Sequence, residues 1–274
     1  MEPVRPVEAV TVAAGEFAGR TAILAGGATL IGRATAAAFA AAGANVVIAD
    51  IDAEGGALAV RELGDRALFL PTDVTVDADI DACIAAAAER FGGIDYLVNV
   101  TTSYLDNGLE TARADWLRAL DIAVVGAAIF AQRAAPHLIA RKGAIVNFSS
   151  ISAHRAQAGR FVYPAAKAAV AQLTRSQALE FARHGVRVNA VAPAWTWSNV
   201  IGMVSGGDRA KADRAAAPFH MAGRIADAEE VARAVLFLCS DAASFVMGAE
   251  LPVDGGYLAL GPEQRDDAIA ALAG

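Results

Sequence analysis

The sequence has few of the residues on which several common kinds of protein depend. Only two of its 274 residues are cysteines, Cys83 and Cys239, and neither belongs to a Cys-x-x-Cys pair. This scarcity excludes a disulfide scaffold and argues against a metal site, so we expect no bound metal and a reducing, cytoplasmic location. No unbroken apolar run reaches the ~18 residues of a membrane span, and the N-terminus lacks the apolar core of a signal peptide. We therefore expect no membrane association.

Charged residues are also scarce, and their balance is acidic. They make up 19% of the chain, against 55% hydrophobic residues, and the formal net charge is -7. The hydrophobic excess excludes a disordered chain, and the negative charge argues against a nucleic-acid partner. Of the 23 basic residues only Lys142, Lys167 and Lys211 are lysines. A position that keeps lysine in such a chain is a candidate for a role that arginine cannot fill.

Short apolar runs alternate with longer helical patterns along most of the chain. The apolar runs lie at residues 21–25, 45–49, 67–70, 96–100, 144–148 and 186–191. The helical patterns lie at residues 31–42, 53–63, 77–91, 114–141 and 162–182. Strands that are apolar throughout are typical of a parallel sheet covered on both faces. The pattern predicts an α/β protein with a single-domain Rossmann fold, in which a doubly wound parallel sheet of about seven strands carries helices on both faces.

The two ends of the chain and one internal stretch depart from this alternation. Residues 1–16 show no clear period, and we expect a flexible N-terminal arm there. Residues 17–261 would form the domain, and residues 262–274 a C-terminal tail with a short helical pattern. Within the domain, residues 195–225 are expected to form a lid over a ligand site, because insertions of this length are commonly functional.

A glycine-rich turn joins the first predicted strand to the first predicted helix. Such a turn lets the backbone approach a pyrophosphate that sits on the helix N-terminus. Asp50, at the end of the second strand, can accept both ribose hydroxyls of NAD and would repel the 2′-phosphate of NADP. NAD is therefore the expected cofactor and NADP the less favoured one, although Asp50 could instead cap the next helix. The candidate cofactor-binding residues of these two elements are Gly26, Ala28, Thr29, Leu30, Ile31, Asp50 and Ile51.

Three residues are candidates for the chemistry. Tyr163 and Lys167 lie four residues apart on one face of a predicted helix. An ammonium group near a phenol lowers the tyrosine pKa, which suits proton exchange with an alcohol or carbonyl oxygen while a cofactor moves a hydride. Ser150 ends the fifth strand, where open α/β sheets bind ligands, and could hold the substrate oxygen or merely cap a turn. We predict Ser150, Tyr163 and Lys167 as the catalytic residues of a nicotinamide-dependent oxidoreductase.

In their order along the chain, these landmarks resemble those of the short-chain dehydrogenase/reductase family. The resemblance spans residues 19–257 and includes motifs at residues 72–74, 187–193 and 253–257. It implies that Lys167 also binds the nicotinamide ribose, and that the protein is a homotetramer or, less often, a dimer built through helices 114–141 and 162–182. The further cofactor contacts that it implies are Asp73, Val74, Asn99, Val100, Thr101, Tyr163, Lys167, Pro193, Ala194 and Thr196.

Some positions depart from the family's pattern, and they cluster around the cofactor. Leu30 stands where the family has the middle glycine of the turn, and Ala123 stands where it has a helix asparagine. The resemblance therefore implies a divergent member. A non-catalytic or weakly active dinucleotide-binding scaffold or sensor on the same fold is the alternative interpretation.

The expected substrate pocket is apolar and partly aromatic, with few charges. Such a lining is typical of sites for hydrophobic small molecules, and it predicts a hydrophobic secondary alcohol and its ketone as the substrate pair. A 3-oxoacyl thioester is the alternative substrate. The candidate pocket residues are Thr102, Ser152, Gln157, Trp195, Trp197 and Met203.

Overall fold

The computed structural model describes residues 15–262. Its strands are β1 (Thr21–Ala25), β2 (Asn45–Asp50), β3 (Ala67–Pro71), β4 (Tyr96–Asn99), β5 (Ala144–Phe148), β6 (Arg187–Pro193) and β7 (Glu250–Val253). All seven are parallel and form one sheet in the order β3-β2-β1-β4-β5-β6-β7. The predicted doubly wound parallel sheet is confirmed.

Helices cover both faces of the sheet. They are α1 (Leu30–Ala41), α2 (Ala53–Leu63), α3 (Asp77–Phe91), α4 (Arg113–Leu120), α5 (Gly126–Arg141), α6 (Val162–Ala182), α7 (Asn199–Ser205), α8 (Arg209–Ala216) and α9 (Ala228–Cys239). One core cluster joins the sheet to α1, α2 and α9, and a second joins it to α3, α5 and α6. In β1, Leu24 belongs to the first cluster and Ile23 to the second, which explains why the strands are apolar throughout.

The order of the strands places a crevice at the carboxyl ends of β1 and β4. β1 pairs with β2 on one side and with β4 on the other, so the connections after β1 and β4 diverge there. The turn after β1 is held on both sides, since Gly26 donates to the Ala49 carbonyl at 2.8 Å and Thr101 donates to the Ala25 carbonyl at 3.0 Å. Open α/β sheets bind ligands at such a point.

The predicted single helix over residues 114–141 is interrupted. A π-helix, Asp121–Val125, separates α4 from α5. By length and composition the whole stretch Arg113–Arg141 is apolar enough to cross a membrane. In the fold, however, Phe130 and Leu138 of α5 are buried in the core cluster shared with α3, which is the environment of a core helix.

Other differences concern elements that the apolar pattern did not delimit. Neither β7 nor α9 was among the predicted ranges, and the predicted lid contains two helices, α7 and α8, as well as a 3-10 turn at Ala217–Phe219. The predicted N-terminal arm and C-terminal tail lie almost wholly outside the described residues.

Candidate active site

A cavity of about 1020 Å³ opens at the carboxyl edge of the sheet. This volume lies at the upper end of the roughly 300–1,000 Å³ of typical small-molecule sites. Most of the predicted site residues line it. They are Gly26, Thr29, Leu30, Ile31, Asp50, Ile51, Asp73, Val74, Val100, Thr101, Thr102, Ser150, Ser152, Gln157, Tyr163, Lys167, Pro193, Ala194, Trp195 and Thr196.

Two predicted cofactor contacts lie behind the cavity wall instead. The backbone amide of Ala28 donates to the Asp50 carboxylate at 2.9 Å, so this residue braces the turn. The side-chain amide of Asn99 donates to Asn147 at 2.9 Å, within the sheet. Both residues therefore support the site from within the protein, and their contact with the cofactor stays a prediction.

Two predicted pocket residues are also displaced from the cavity. Trp197 lies under the guanidinium of Arg209, whose Cζ is 5.6 Å from the ring centroid, and it packs within the lid. Met203 is 80% exposed on the outer side of α7. An aromatic or apolar side chain in a lid can serve the packing of the lid itself. Trp197 does so, whereas Met203 faces solvent.

The glycine turn is tightly packed and directs the N-terminus of α1 toward the cavity. Gly26 has a φ of +86°, and a Cβ there would lie 2.8 Å from the Thr101 amide nitrogen, so only glycine fits. The hydroxyl of Thr29 caps α1, because it accepts from the Gly32 amide at 3.0 Å and donates to the Gly26 carbonyl at 2.9 Å. Leu30, the first residue of α1, lines the cavity where the turn ends.

Asp50 does not cap the next helix, because the N-cap of α2 is Asp52. The Asp50 carboxylate accepts from the amides of Ala28 and Asp52, at 2.9 and 3.1 Å, and it lines the cavity. Nearby, the hydroxyl oxygens of Thr101 and Thr102 are buried without a hydrogen-bond partner among the described residues, although both residues line the cavity. Buried polar atoms usually have partners, so these residues fit a polar ligand such as a dinucleotide.

Ser150 and Tyr163 face each other across the same cavity. Burial raises the pKa of Tyr163 to about 12, with the neighbouring Tyr104 adding to the rise and the Ser150 hydroxyl opposing it. Ser150 also accepts from the Ser152 amide at 3.2 Å, and the Ser152 hydroxyl donates to Gln157 at 2.7 Å. Ser150 thus caps a turn and presents its hydroxyl to the phenol at once.

Lys167 is only 2% exposed, one helical turn beyond Tyr163. Its Nζ donates to the Phe148 carbonyl at 2.7 Å and lies 5.6 Å from the centroid of the tyrosine ring. Burial lowers the pKa of Lys167 to about 7. The sequence predicts that this lysine lowers the Tyr163 pKa. Burial has the larger effect, because it raises the pKa of the phenol and also disfavours the charged form of the lysine.

With the cavity and its three central residues placed, the chain can be compared with known proteins. A family model described as enoyl-(acyl carrier protein) reductase matches residues 26–258, from the glycine turn to the end of the domain. The chain belongs to the short-chain dehydrogenase/reductase family. The resemblance found in the sequence is thereby confirmed.

Relatives of this short-chain dehydrogenase/reductase include dehydrogenases named for ring alcohols. A cis-4-hydroxycyclohexanecarboxylate dehydrogenase of Sinomonas cyclohexanicum is 45% identical over 250 residues, which cover 89% of this chain and 98% of the relative. A 2,5-dichloro-2,5-cyclohexadiene-1,4-diol dehydrogenase of Sphingobium indicum is 36% identical with the same coverage, 89% and 98%.

A solved structure gives the same assignment. A 7α-hydroxysteroid dehydrogenase complexed with NADH and 7-oxo glycochenodeoxycholic acid matches with a TM-score of 0.81 at 29% identity, over 88% of this chain and 94% of that one. The chain is thus an NAD(P)-dependent oxidoreductase that acts on CH–OH groups. This result favours the enzyme over the alternative of a non-catalytic scaffold.

Two neighbours of Tyr163 in this short-chain dehydrogenase/reductase were not predicted as site residues. The Asp106 carboxylate accepts from the Tyr163 amide at 2.9 Å, and 57 residues of chain separate the two, which left no local signal in the sequence. Arg160 places its Cζ 5.6 Å from the Tyr163 ring centroid and lines the cavity. Its position, three residues before the tyrosine, was the available signal.

Ala123 shows how the enzyme accommodates the loss of the family's helix asparagine. It is buried at the centre of the π-helix, and its neighbour Ile122 lines the cavity. Single π-turns within helices are frequent at functional sites. The helix is therefore broken beside the cavity in this chain, with alanine at the position where the resemblance implies asparagine.

Proposed function

We propose that this enzyme uses NAD to interconvert a hydrophobic, cyclic secondary alcohol and its ketone, with Tyr163 as the general acid and base. The observation that carries the proposal is that the Ser150 hydroxyl, the Tyr163 phenol and the buried Lys167 line one cavity, with the hydroxyl favouring the ionised phenol. A hydroxyl donor and a phenol that converge on one point can hold one substrate oxygen and move its proton.

The roles of the residues follow from their positions. Ser150 orients the substrate oxygen by a hydrogen bond, and Tyr163 takes the alcohol proton during oxidation or returns it during reduction. A bound nicotinamide would supply the acceptor or donor of the hydride exchanged with the carbinol carbon. Lys167 would bind the nicotinamide ribose, and in its cationic form it would stabilise the phenolate that proton transfer requires.

The preference for NAD over NADP rests on Asp50. Its carboxylate is fixed by two backbone amides and lines the cavity at the end of β2. A carboxylate held there accepts the two ribose hydroxyls and repels a 2′-phosphate. The residues proposed to contact the dinucleotide are those predicted cofactor-binding residues that line the cavity.

The substrate end of the cavity supports an apolar ring as the group that is bound. Trp195 and Phe219 pack together with ring centroids 6.1 Å apart, and both line the cavity. Ser152 and Gln157 add polar groups to the same wall. The two relatives named for ring alcohols support a cyclic substrate.

We also propose a homo-oligomer, with a tetramer favoured over a dimer. Leu117 of α4 and Leu179 of α6 are 61% and 77% exposed, and large apolar side chains of this kind are compatible with burial between subunits. Multi-angle light scattering of the purified protein tests the oligomeric state.

We further propose a cytoplasmic location. The buried cysteines Cys83 and Cys239 form no disulfide, which is compatible with the reducing environment of the cytoplasm.

The proposed reaction can be tested with purified protein in two steps. Titration with NADH and NADPH, followed by turnover with cyclic secondary alcohols and their ketones, should show binding of NADH and reduction of at least one cyclic ketone. The absence of NAD(H) binding at millimolar concentration would contradict the proposal. A clear preference for NADPH would overturn the part of it that rests on Asp50.

A further inference from the structure

Arg160 is a cation in the cavity wall that has no carboxylate partner among residues 15–262. It is half-buried in the segment between β5 and α6 and lines the cavity. No ion pair joins it to any described acidic side chain. An arginine on the open surface has water around it, whereas one in a concave, largely apolar wall gains from an anionic ligand.

Asp106, the acidic residue that binds the chain directly after Arg160, is already engaged by backbone amides. The Asp106 carboxylate accepts from the backbone amides of Phe161 and Tyr163 at 2.9 Å, and from that of Gly108 at 3.2 Å. Burial raises the pKa of Asp106, but these amides outweigh it, so that the pKa is lowered on balance. No hydrogen bond joins the Arg160 side chain to Asp106 among the described residues. The donors of Arg160 therefore remain available.

The other two cations of the cavity wall have partners of their own. Arg118 donates to Thr75 at 2.7 Å and to Asp73 at 3.3 Å, beside β3. Lys167 is bound to the Phe148 carbonyl. Among the described residues that line the cavity, Arg160 is thus the one cation that is free to bind an anion.

The position of Arg160 assigns it to the substrate and not to the dinucleotide. Its Cζ lies 5.6 Å from the centroid of the Tyr163 ring, which also stacks on Tyr104 with centroids 5.4 Å apart. By contrast, Asp50, which is proposed to bind a ribose of the dinucleotide, ends β2. That strand lies three strands away from β5, after which Arg160 follows. The guanidinium therefore stands close to the point where the substrate oxygen would bind.

We propose that Arg160 binds a carboxylate carried by the substrate, so that the enzyme selects hydroxy- and oxocycloalkane carboxylates over neutral cyclic alcohols. This inference rests on the proposed function and adds the chemical class of the substrate to it. The planar guanidinium can pair with a carboxylate through two parallel N–H···O bonds, which fixes orientation as well as adding affinity. The ring would lie between this anchor and the Ser150–Tyr163 pair.

A different role for Arg160 would act through the tyrosine alone. The positive charge favours the phenolate, and it opposes the rise that burial causes in the Tyr163 pKa. Loss of the charge would then impair every substrate equally and move the pH profile of kcat to higher pH. Substrate recognition instead predicts a loss confined to carboxylates.

Binding tests the inference without relying on turnover. Cyclohexanecarboxylate and cyclohexanecarboxamide are titrated calorimetrically into the full chain, with and without NADH. We expect the wild type to bind the carboxylate about 10- to 100-fold more tightly than the amide, as for a hydrogen bond to a charged group. In Arg160→Gln the two ligands should bind equally, whereas Arg155→Gln, an exposed arginine of the same segment, should keep the wild-type preference.

Kinetics then separates this inference from the proposed function. With NAD, the ratio of kcat/KM for 4-hydroxycyclohexanecarboxylate to that for cyclohexanol should fall by about 10- to 100-fold in Arg160→Gln, because an effect of the charge on Tyr163 cancels in this ratio. Equal binding of both ligands by the wild type, or a preference that survives Arg160→Gln, would overturn the inference. A carboxylate preference in binding without turnover of any cyclic alcohol or ketone would instead overturn the proposed function.

Discussion

The carboxylate of Asp106 accepts a hydrogen bond from the backbone amide of Tyr163 at 2.9 Å, across 57 residues of chain. It accepts another from Phe161, the residue that immediately precedes α6. These bonds satisfy amide groups that the first turn of a helix leaves unpaired. Asp106 thus ties the segment after β4 to the start of the helix that carries the phenol, and so fixes the position of the phenol.

Replacement of Asp106 should affect both stability and turnover. Asp106→Ala removes the acceptor for these amides, and we expect a loss of about 1–2 kcal/mol in the free energy of unfolding, as for a helix N-cap. Urea denaturation measures it, with Asp65→Ala, an exposed aspartate, as the control. Because the same bonds lower the pKa of Asp106 below 3.8, this stabilisation is complete at neutral pH and is lost as the pH falls through the folded value. Equal stability of the two variants would contradict this role.

The burial of Lys167 predicts a distinctive dependence of stability on pH. Its pKa falls from 10.5 in the unfolded chain to about 7 in the folded one, so between these values the unfolded chain binds the extra proton. Stability from this group therefore rises with pH, by at most about 1.4 kcal/mol per pH unit.

A comparison with Lys167→Met isolates this effect from the other titrating groups. In urea denaturation without cofactor, the wild type should gain stability relative to Lys167→Met as the pH rises from 7 toward 10. Parallel pH profiles for the two proteins would show that the buried lysine keeps its ordinary pKa.

Asp50 should set the choice between the two dinucleotides. In Asp50→Ala the ribose acceptor and the negative charge are both lost, and we expect the ratio of kcat/KM for NAD to that for NADP to fall by about 10- to 100-fold. Asp52→Ala is the matched control, because Asp52 caps α2 beside the same strand end without lining the cavity. An unchanged ratio in Asp50→Ala would remove Asp50 from cofactor selection.

The lid offers a direct test of which aromatic and apolar residues meet the substrate. Trp195 lines the cavity, whereas Met203 is 80% exposed and does not. Trp195→Ala should raise KM by about tenfold or more through the loss of apolar contact, and Met203→Ala should leave KM unchanged. Steady-state kinetics with one cyclic ketone compares them. The opposite order would show that the lid closes differently over the substrate.

The sequence predicted structure best where a single physical requirement decides which residues can stand at a position. Strands buried on both faces must be apolar, so six of the seven strands could be located within a few residues. The seventh, β7, is short and contains Pro252 at the edge of the sheet, so it left little signal. The start of α9 had a usable signal, the capping box of Asp227 and Glu230, which the apolar pattern alone does not reveal.

Long-range contacts could not be predicted in this way. The pairing of Asp106 with Tyr163 and the position of Trp197 under Arg209 each depend on how distant segments pack. Arg160 could not be singled out from composition, because one arginine in an apolar wall barely changes an average. That it has no carboxylate partner among residues 15–262 depends on how distant segments pack.

Tyr163→Phe is the sharpest test of proton transfer by Tyr163, because this change removes a single oxygen atom. We expect NADH affinity to stay within about threefold, as measured by fluorescence titration, while kcat for ketone reduction falls by about 100- to 10,000-fold, the usual contribution of general acid catalysis. Turnover by Tyr163→Phe at the wild-type rate, with cofactor affinity intact, would contradict the account.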